Sequence, residues 1–102
     1  MTVDERLKNP RVDELFDAIL QLRNREECYA FFEDICTVNE IRTMAQRLEV
    51  AEKLDAGEHY TDIAEETGAS TATISRVKRC LHFGADGYRL VLDRMKSRKS
   101  GR

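Results

Sequence analysis

"YTDIAEETGASTATISRVKR", residues 60–79, decides the fold. Ile63 and Ala64 sit before a glycine, and Ile74, Val77 and Leu81 recur after it at helical spacing. The layout reads as a helix, a tight turn and a second helix. Ala64 falls where two helices cross closely and only a small side chain fits. Gly68, four residues later, falls at the turn, where positive φ is easiest for glycine. One Ala and one Gly alone would say little; the four apolar offsets matching together make the signal. The plain alternative is an ordinary corner between two helices, which needs the same packing residues.

The opposite face separates the two readings. With Ile74, Val77 and Leu81 inward, the second helix presents Ser70, Thr71, Ala72, Thr73, Ser75 and Arg76, with Lys78 and Arg79 further on. Most of the segment 67–77 is Thr, Ser, Ala and Gly, and no acid occurs between residues 67 and 82. That is unusual in a chain that is 35% charged. A helix entering a DNA major groove must approach base edges closely, so short leading residues suit it. Hydroxyls bond base edges or phosphates, and an Ala or Thr methyl meets a thymine methyl. Ser70, as helix cap, leaves a positive helix end suited to phosphate. Lys78 and Arg79 add sequence-independent phosphate attraction. These eight residues are the candidate DNA contacts. The plain alternative for Thr71 and Thr73 is that they are merely helix-start residues.

Outward from this segment, the sequence has 102 residues and one proline, which predicts a single, mostly helical domain with a modest core. No apolar run approaches the ~18 residues of a membrane span. The charged start "MTVDERLKNP" is not that of a secretory signal. Three cysteines, Cys28, Cys36 and Cys80, are expected reduced and buried in a cytoplasmic protein. His59 and His82 lack ligand spacing, so no metal site is expected. The net charge of -2 conceals a division. Residues 1–69 hold 8 basic and 17 acidic side chains, whereas residues 70–102 hold 9 and 2. The basic C-terminal third points to a polyanion partner.

Asn9-Pro10 reads as a helix start. Val12, Leu15, Phe16, Ile19 and Leu22 follow at helical spacing. After "RNRE", a second helix carries Cys28, Phe31, Phe32 and Ile35. Thr37 and Glu40 form a capping box that opens a long third helix with Ile41, Met44, Ala45, Leu48 and Ala51 as its stripe. Gly57 ends that helix; shorter helices are predicted over about 60–67, 71–82 and 87–96, the last with Leu90 and Val91 inward. The prediction is all-α, six helices, no strand. Residues 1–9 are read as a flexible arm, 10–96 as the domain and 97–102 as a basic flexible tail.

At this point the sequence resembles the Trp repressor superfamily, and within it the YerC/YecD-type group. The resemblance covers about residues 10–96 and rests on "CTVNEIRTMAQRLEVAEKL", "AGEHYTDIAEETG" and "GASTATISR". It implies a six-helix chain whose N-terminal helices interlace with a second copy in an intertwined homodimer. It also implies a helix-turn-helix in the fourth and fifth helices. For an effector site, the resemblance carries over Thr37, Arg47 and Arg76. The family's glycine after the second arginine is Val77 here, and the serine three residues beyond it is Cys80. A branched side chain intrudes on an indole slot and a thiol is a poor partner for an ammonium. Tryptophan is therefore not expected as corepressor, and no cofactor is expected, though an unidentified small-molecule effector is left open. For Arg47 the plain alternative is a solvated or ion-paired arginine.

The expected function is sequence-specific DNA binding by a cytoplasmic homodimer that regulates transcription, as a repressor, through one recognition helix per half-site. Its partners would be double-stranded DNA and a second copy, with no membrane. Two alternatives stand beside it: an accessory DNA-binding protein of replication or transposition, and a protein-interaction module without DNA readout. An enzyme is not expected, since no nucleophile–base pair, paired carboxylates or phosphate loop is present.

Overall fold

The computed structural model describes residues 3–100, apart from the side chain of Ser100. Met1, Thr2, Gly101 and Arg102, the ends of the expected arm and tail, lie outside the described residues. Among the described residues there are six α-helices, a short 3-10 turn over Glu5–Leu7, and no strand. The helices are α1 (Pro10–Ile19), α2 (Arg25–Ile35), α3 (Val38–Asp55), α4 (Tyr60–Thr67), α5 (Thr71–Phe83) and α6 (Gly87–Ser100). The described chain divides into two compact units, residues 3–42 and 43–100, with α3 shared between them.

In the first unit the caps come from short polar side chains. Asn9 Oδ1 accepts from the Arg11 and Val12 N–H groups, both at 2.9 Å, and Pro10 follows where no donor is needed. α1 stops at Ile19, short of the Leu22 that the apolar spacing suggested. The Gln21 and Leu22 N–H groups bond the Ala18 and Ile19 carbonyls, so the chain tightens into three-residue turns there. Asn24, unrecognised in the sequence, then starts α2 by accepting from Glu27 N–H at 2.9 Å, while Glu27 accepts from Arg23 N–H at 2.8 Å. The Thr37–Glu40 capping box forms as expected, at 2.8 and 3.1 Å. Its backbone bond to Thr37 holds the Glu40 carboxyl below its usual pKa.

No residue from 3 to 42 is buried. Phe16 is 55% exposed, Leu20 77% and Tyr29 69%. Cys28 is exposed, Cys36 and Cys80 are half-buried, and all three are free. The expectation of buried cysteines is thus corrected: Cys28 lies on α2, which covers none of its own side chains.

The core lies in the second unit. Val50 and Ala51 of α3, Ile63 of α4, Ala69 of the turn, Ile74, Val77 and Leu81 of α5 and Leu92 of α6 are all buried together. Burying an isoleucine such as Ile63 or Ile74 contributes about 1.5–3 kcal/mol. Two inward stripes differ from the sequence reading. In α3 the buried face is Val50 and Ala51, with Leu48 and Leu54 packed beside it, while Met44 and Ala45 are exposed. The helix has two apolar faces half a turn apart, and α4–α6 cover only one. In α6, Leu92 is inward with Tyr88 one turn before it, and Leu90 and Val91 are exposed. The choice of Leu90 and Val91 missed the phase, because Tyr88 and Leu92 share one face at i, i+4.

α6 also runs four residues past the expected end at 96. Arg98 and Lys99 in its last turn interact favourably with the negative helix end. Asp55, at the C-terminus of α3, holds α6 in place. Its carboxylate accepts from Arg89 Nη1 at 2.8 Å and from Lys96 Nζ. These two cations, Lys96 first, hold the Asp55 carboxyl below its usual pKa.

Candidate nucleic-acid interface

α4 and α5 meet across the three residues Gly68, Ala69 and Ser70. Gly68 adopts φ 74, the left-handed region. A side chain there would be strained even though no neighbouring atom lies within 4 Å of its Cβ position. Ala64 packs against the core and Ile63, Ile74, Val77 and Leu81 are buried, as their spacing predicted. Ser70 Oγ accepts from Thr73 N–H at 3.1 Å and starts α5. At the other end Gly84 is required by a different cause: a Cβ there would lie 2.4 Å from the Cys80 carbonyl oxygen.

The burial of Ile74, Val77 and Leu81 fixes what α5 turns outward. Thr71, Ala72, Ser75, Arg76, Lys78 and Arg79 are all exposed. They share the helix surface with no acidic residue, since none occurs in α5. Ser70 and Thr73 are placed differently. Their hydroxyls lie 3.1 Å apart, Ser70 donating to Thr73, and Thr73 is half-buried. Both side chains are engaged in the cap, so the outward face is led by Thr71, Ala72 and Ser75. Lys78 is tied as well: its ammonium stands 5.4 Å from the centre of the Tyr60 ring, at the start of α4. Phe83, which the sequence reading passed over, continues the outward face and is among the most exposed apolar side chains. Its position seven residues after Arg76 could have revealed it.

The three residues expected around an effector fall in both compact units. Thr37 caps α3 in the first unit. Arg47 and Arg76 belong to the second. Burial pushes the Tyr88 phenol above its usual pKa; the Cys80 thiol adds to this, and the Arg47 and Arg76 guanidiniums oppose it. Groups from α3 and α5 therefore lie within electrostatic reach of Tyr88 on α6. Arg47 Nε is buried there without a hydrogen-bond partner. Val77 is 1% exposed and belongs to the core, so its branched side chain fills space under α5. Elsewhere a shallow cleft lined by Glu52, Asp55, Leu92, Met95, Lys96 and Lys99 includes none of the eight candidate DNA-binding residues, and its Asp55–Lys96 pair is already made.

Among the described residues, six helices and a tight turn leading into a short-residue, cationic helix face define an all-helical protein. More narrowly, the chain belongs to the Trp repressor family, whose model, described as Trp repressor protein, matches residues 10–96. It is 58% identical over 92 residues to the protein YerC of Bacillus subtilis (strain 168), itself uncharacterised, covering 90% of this chain and 88% of that one. A crystal structure of a candidate Trp repressor from Staphylococcus aureus is 57% identical, with a TM-score of 0.89 over 94% of this chain and 96% of that chain. A TrpR-like protein from Eubacterium eligens ATCC 27750 is 54% identical, with a TM-score of 0.88 over 91% of this chain and 96% of that chain. Among the described residues no helix is long and apolar enough to cross a membrane.

Proposed function

We propose that this protein is a homodimeric, sequence-specific DNA-binding regulator of transcription, acting as a repressor, with α4 and α5 as its helix-turn-helix. The observation that carries the reading is the outward face of α5: Thr71, Ala72, Ser75, Arg76 and Arg79 exposed, with no acid on the helix. Short leading residues admit the helix to a major groove, and the two arginines lie within reach of phosphates on its walls. Family membership supports the same class.

A second copy is part of the proposal. One such unit makes few phosphate contacts; two related by a two-fold axis read half-sites about 34 Å apart. The exposed apolar side chains Phe16, Leu20, Tyr29, Ile35 and Val38 support the pairing, since nothing in residues 3–42 is buried within one chain. The reading places the protein in the cytoplasm with its DNA and assigns it no chemical step and no cofactor. An effector, if one acts, would be a small anion satisfying Arg47 Nε rather than tryptophan.

The test is selection of bound fragments from genomic DNA, followed by affinity measurements against salt. Specific binding should weaken with a log–log slope set by the phosphates neutralised. A selection that enriches no sequence, with binding indifferent to salt, would favour a protein-interaction module instead.

A further inference from the structure

The turn that gives α5 its direction is gripped from outside by one side chain. Gln46, in α3, donates from Nε2 to the Thr67 carbonyl at 3.1 Å, across 21 positions of sequence. Thr67 is the last residue of α4, and the left-handed Gly68 follows, so its carbonyl has left the helical ladder. From the other side, Thr67 Oγ1 donates to the Ile63 carbonyl at 2.7 Å and accepts from Ala69 N–H at 3.1 Å. The peptide between Thr67 and Gly68 is held at both edges: its N–H donates to the Ala64 carbonyl at 2.9 Å, and its carbonyl accepts from the amide reaching over from α3, while the Thr67 hydroxyl holds the N–H of the next peptide. Ala69, next along, is buried in the core, and α5 begins two residues later.

We infer that Gln46 is a positioning residue for DNA binding. It lies on α3, hydrogen-bonds Thr67 and not one of the eight candidate DNA-binding residues, and fixes the peptide plane from which α5 departs. The lever is long. Arg79 lies nine residues beyond Ser70, about 13 Å along the helix, so a swing of roughly 10° at the turn moves it by about 2 Å. That exceeds the tolerance of a hydrogen bond to a phosphate or a base edge. Core packing of Ile74 and Val77 resists translation of α5; the Gln46–Thr67 bond opposes rotation of the turn. The inference rests on the proposed DNA reading for its consequence, whereas the clamp itself can be tested without DNA.

The experiment uses the full chain and three substitutions. Gln46→Met keeps length and removes the donor. Gln46→Asn keeps polarity but is one methylene too short. Gln46→Glu sets a carboxylate against the carbonyl, and donates again once protonated. Each is measured for affinity to the selected DNA, salt slope, melting temperature and amide exchange at Ala69. Gln46→Met and Gln46→Asn should lose ten-fold or more in affinity with the salt slope and melting temperature close to wild type, and Ala69 should exchange faster. Gln46→Glu should bind most weakly near pH 8 and recover as pH falls toward the carboxyl range near 4–5, a recovery the wild type does not show. Wild-type affinity in Gln46→Met, or an affinity loss that only follows a fall in melting temperature, overturns the inference. If the wild type itself binds no DNA, the regulator reading fails, and Ala69 exchange alone then decides the clamp: faster in Gln46→Met upholds it, unchanged overturns it.

Discussion

The Lys78 ammonium lies 5.4 Å from the centre of the Tyr60 ring, joining the middle of α5 to the first residue of α4. Such an interaction at a solvent-facing site is worth about 0.5–1 kcal/mol. Arg79, its neighbour, is exposed on the outward face. Two adjacent cations therefore have different expected phenotypes. Arg79→Ala should weaken all DNA sequences alike and lower the salt slope by about one. Lys78→Ala should also lower the melting temperature, because it uncouples the helices, and Tyr60→Leu should reproduce that stability loss without changing the slope. Equal melting temperatures for Lys78→Ala and Arg79→Ala would deny Lys78 its second role.

Base readout is expected from Thr71 and Ser75, the exposed hydroxyls at the leading end of α5. Thr71→Ala or Ser75→Ala should flatten sequence preference by about 1–3 kcal/mol for each base-edge interaction removed. Thr73→Ala should act differently, since its hydroxyl is paired with Ser70 at 3.1 Å. It should shift stability and leave preference alone. Competition binding against single-base operator variants separates these outcomes; a preference change in Thr73→Ala alone would mean that α5 is rotated from the orientation assigned to it.

Dimerisation is expected to be obligate. Phe16, Leu20 and Tyr29 are more than half exposed on the first two helices and the turn after α1, and α3 keeps a second apolar face at Ile41, Met44 and Ala45. Exposed apolar area of this extent is uncommon on monomers. Sedimentation at micromolar concentration should reveal no folded monomer. A stable 11.8 kDa species with full helical signal would sink the expectation.

The unevenness of the sequence reading has a physical pattern. Residues 60–81 were legible because a turn and its packing constrain several positions at once: Ala64, Gly68 and the Ile74–Val77–Leu81 stripe each exclude most other side chains. Caps built on a paired signature were equally clear, as at Thr37 and Glu40. The phase of α3 and α6 was not. Both helices carry apolar residues on more than one face, so spacing alone could not separate Val50 from Met44 or Leu92 from Val91. The candidate site was legible by face but not by hydrogen bond. That Ser70 and Thr73 spend their hydroxyls on each other, and that Gln46 reaches Thr67, depends on geometry across a cap and across 21 residues.

Asp55 should make stability sensitive to acid. Its side chain is 11% exposed, and Lys96 and Arg89 lower its pKa in the folded chain. A depressed carboxyl stabilises the fold fully above its unfolded value, near 4. That stabilisation is lost as pH falls through the lower, folded value. The difference in melting temperature between wild type and Asp55→Asn should therefore be flat from pH 7 to about 5 and shrink below about 4. A difference that instead grew toward low pH would contradict the ion-paired assignment. Arg89→Met and Lys96→Met should each narrow the gap at neutral pH, since both cations hold the carboxyl down.

Free tryptophan is expected not to switch this protein. In the family that this chain belongs to, resemblance implies a slot beside the recognition helix, bounded by arginines at positions 47 and 76. Here Val77 is buried in the core directly under α5, and Cys80 stands where the resemblance would require a hydroxyl. Burial raises the Tyr88 phenol's pKa, with Cys80, Arg47 and Arg76 within electrostatic reach of it. A ligand shifts a conformational equilibrium only by its differential affinity for the two states. With α5 fixed by its own core and by the bonds at Thr67, little difference is left for an indole to exploit. Calorimetric titration with millimolar L-tryptophan should give no saturable heat. DNA affinity should change by no more than about 0.5 kcal/mol, below the ~1–3 kcal/mol of a typical allosteric coupling. Val77→Gly is the companion variant: it should destabilise the core, and any tryptophan response that then emerged would identify the valine as the block. Micromolar binding by the wild type, with DNA association tightened ten-fold, would instead show that the pocket is rebuilt around Val77 and that Arg47 Nε finds its partner in the ligand.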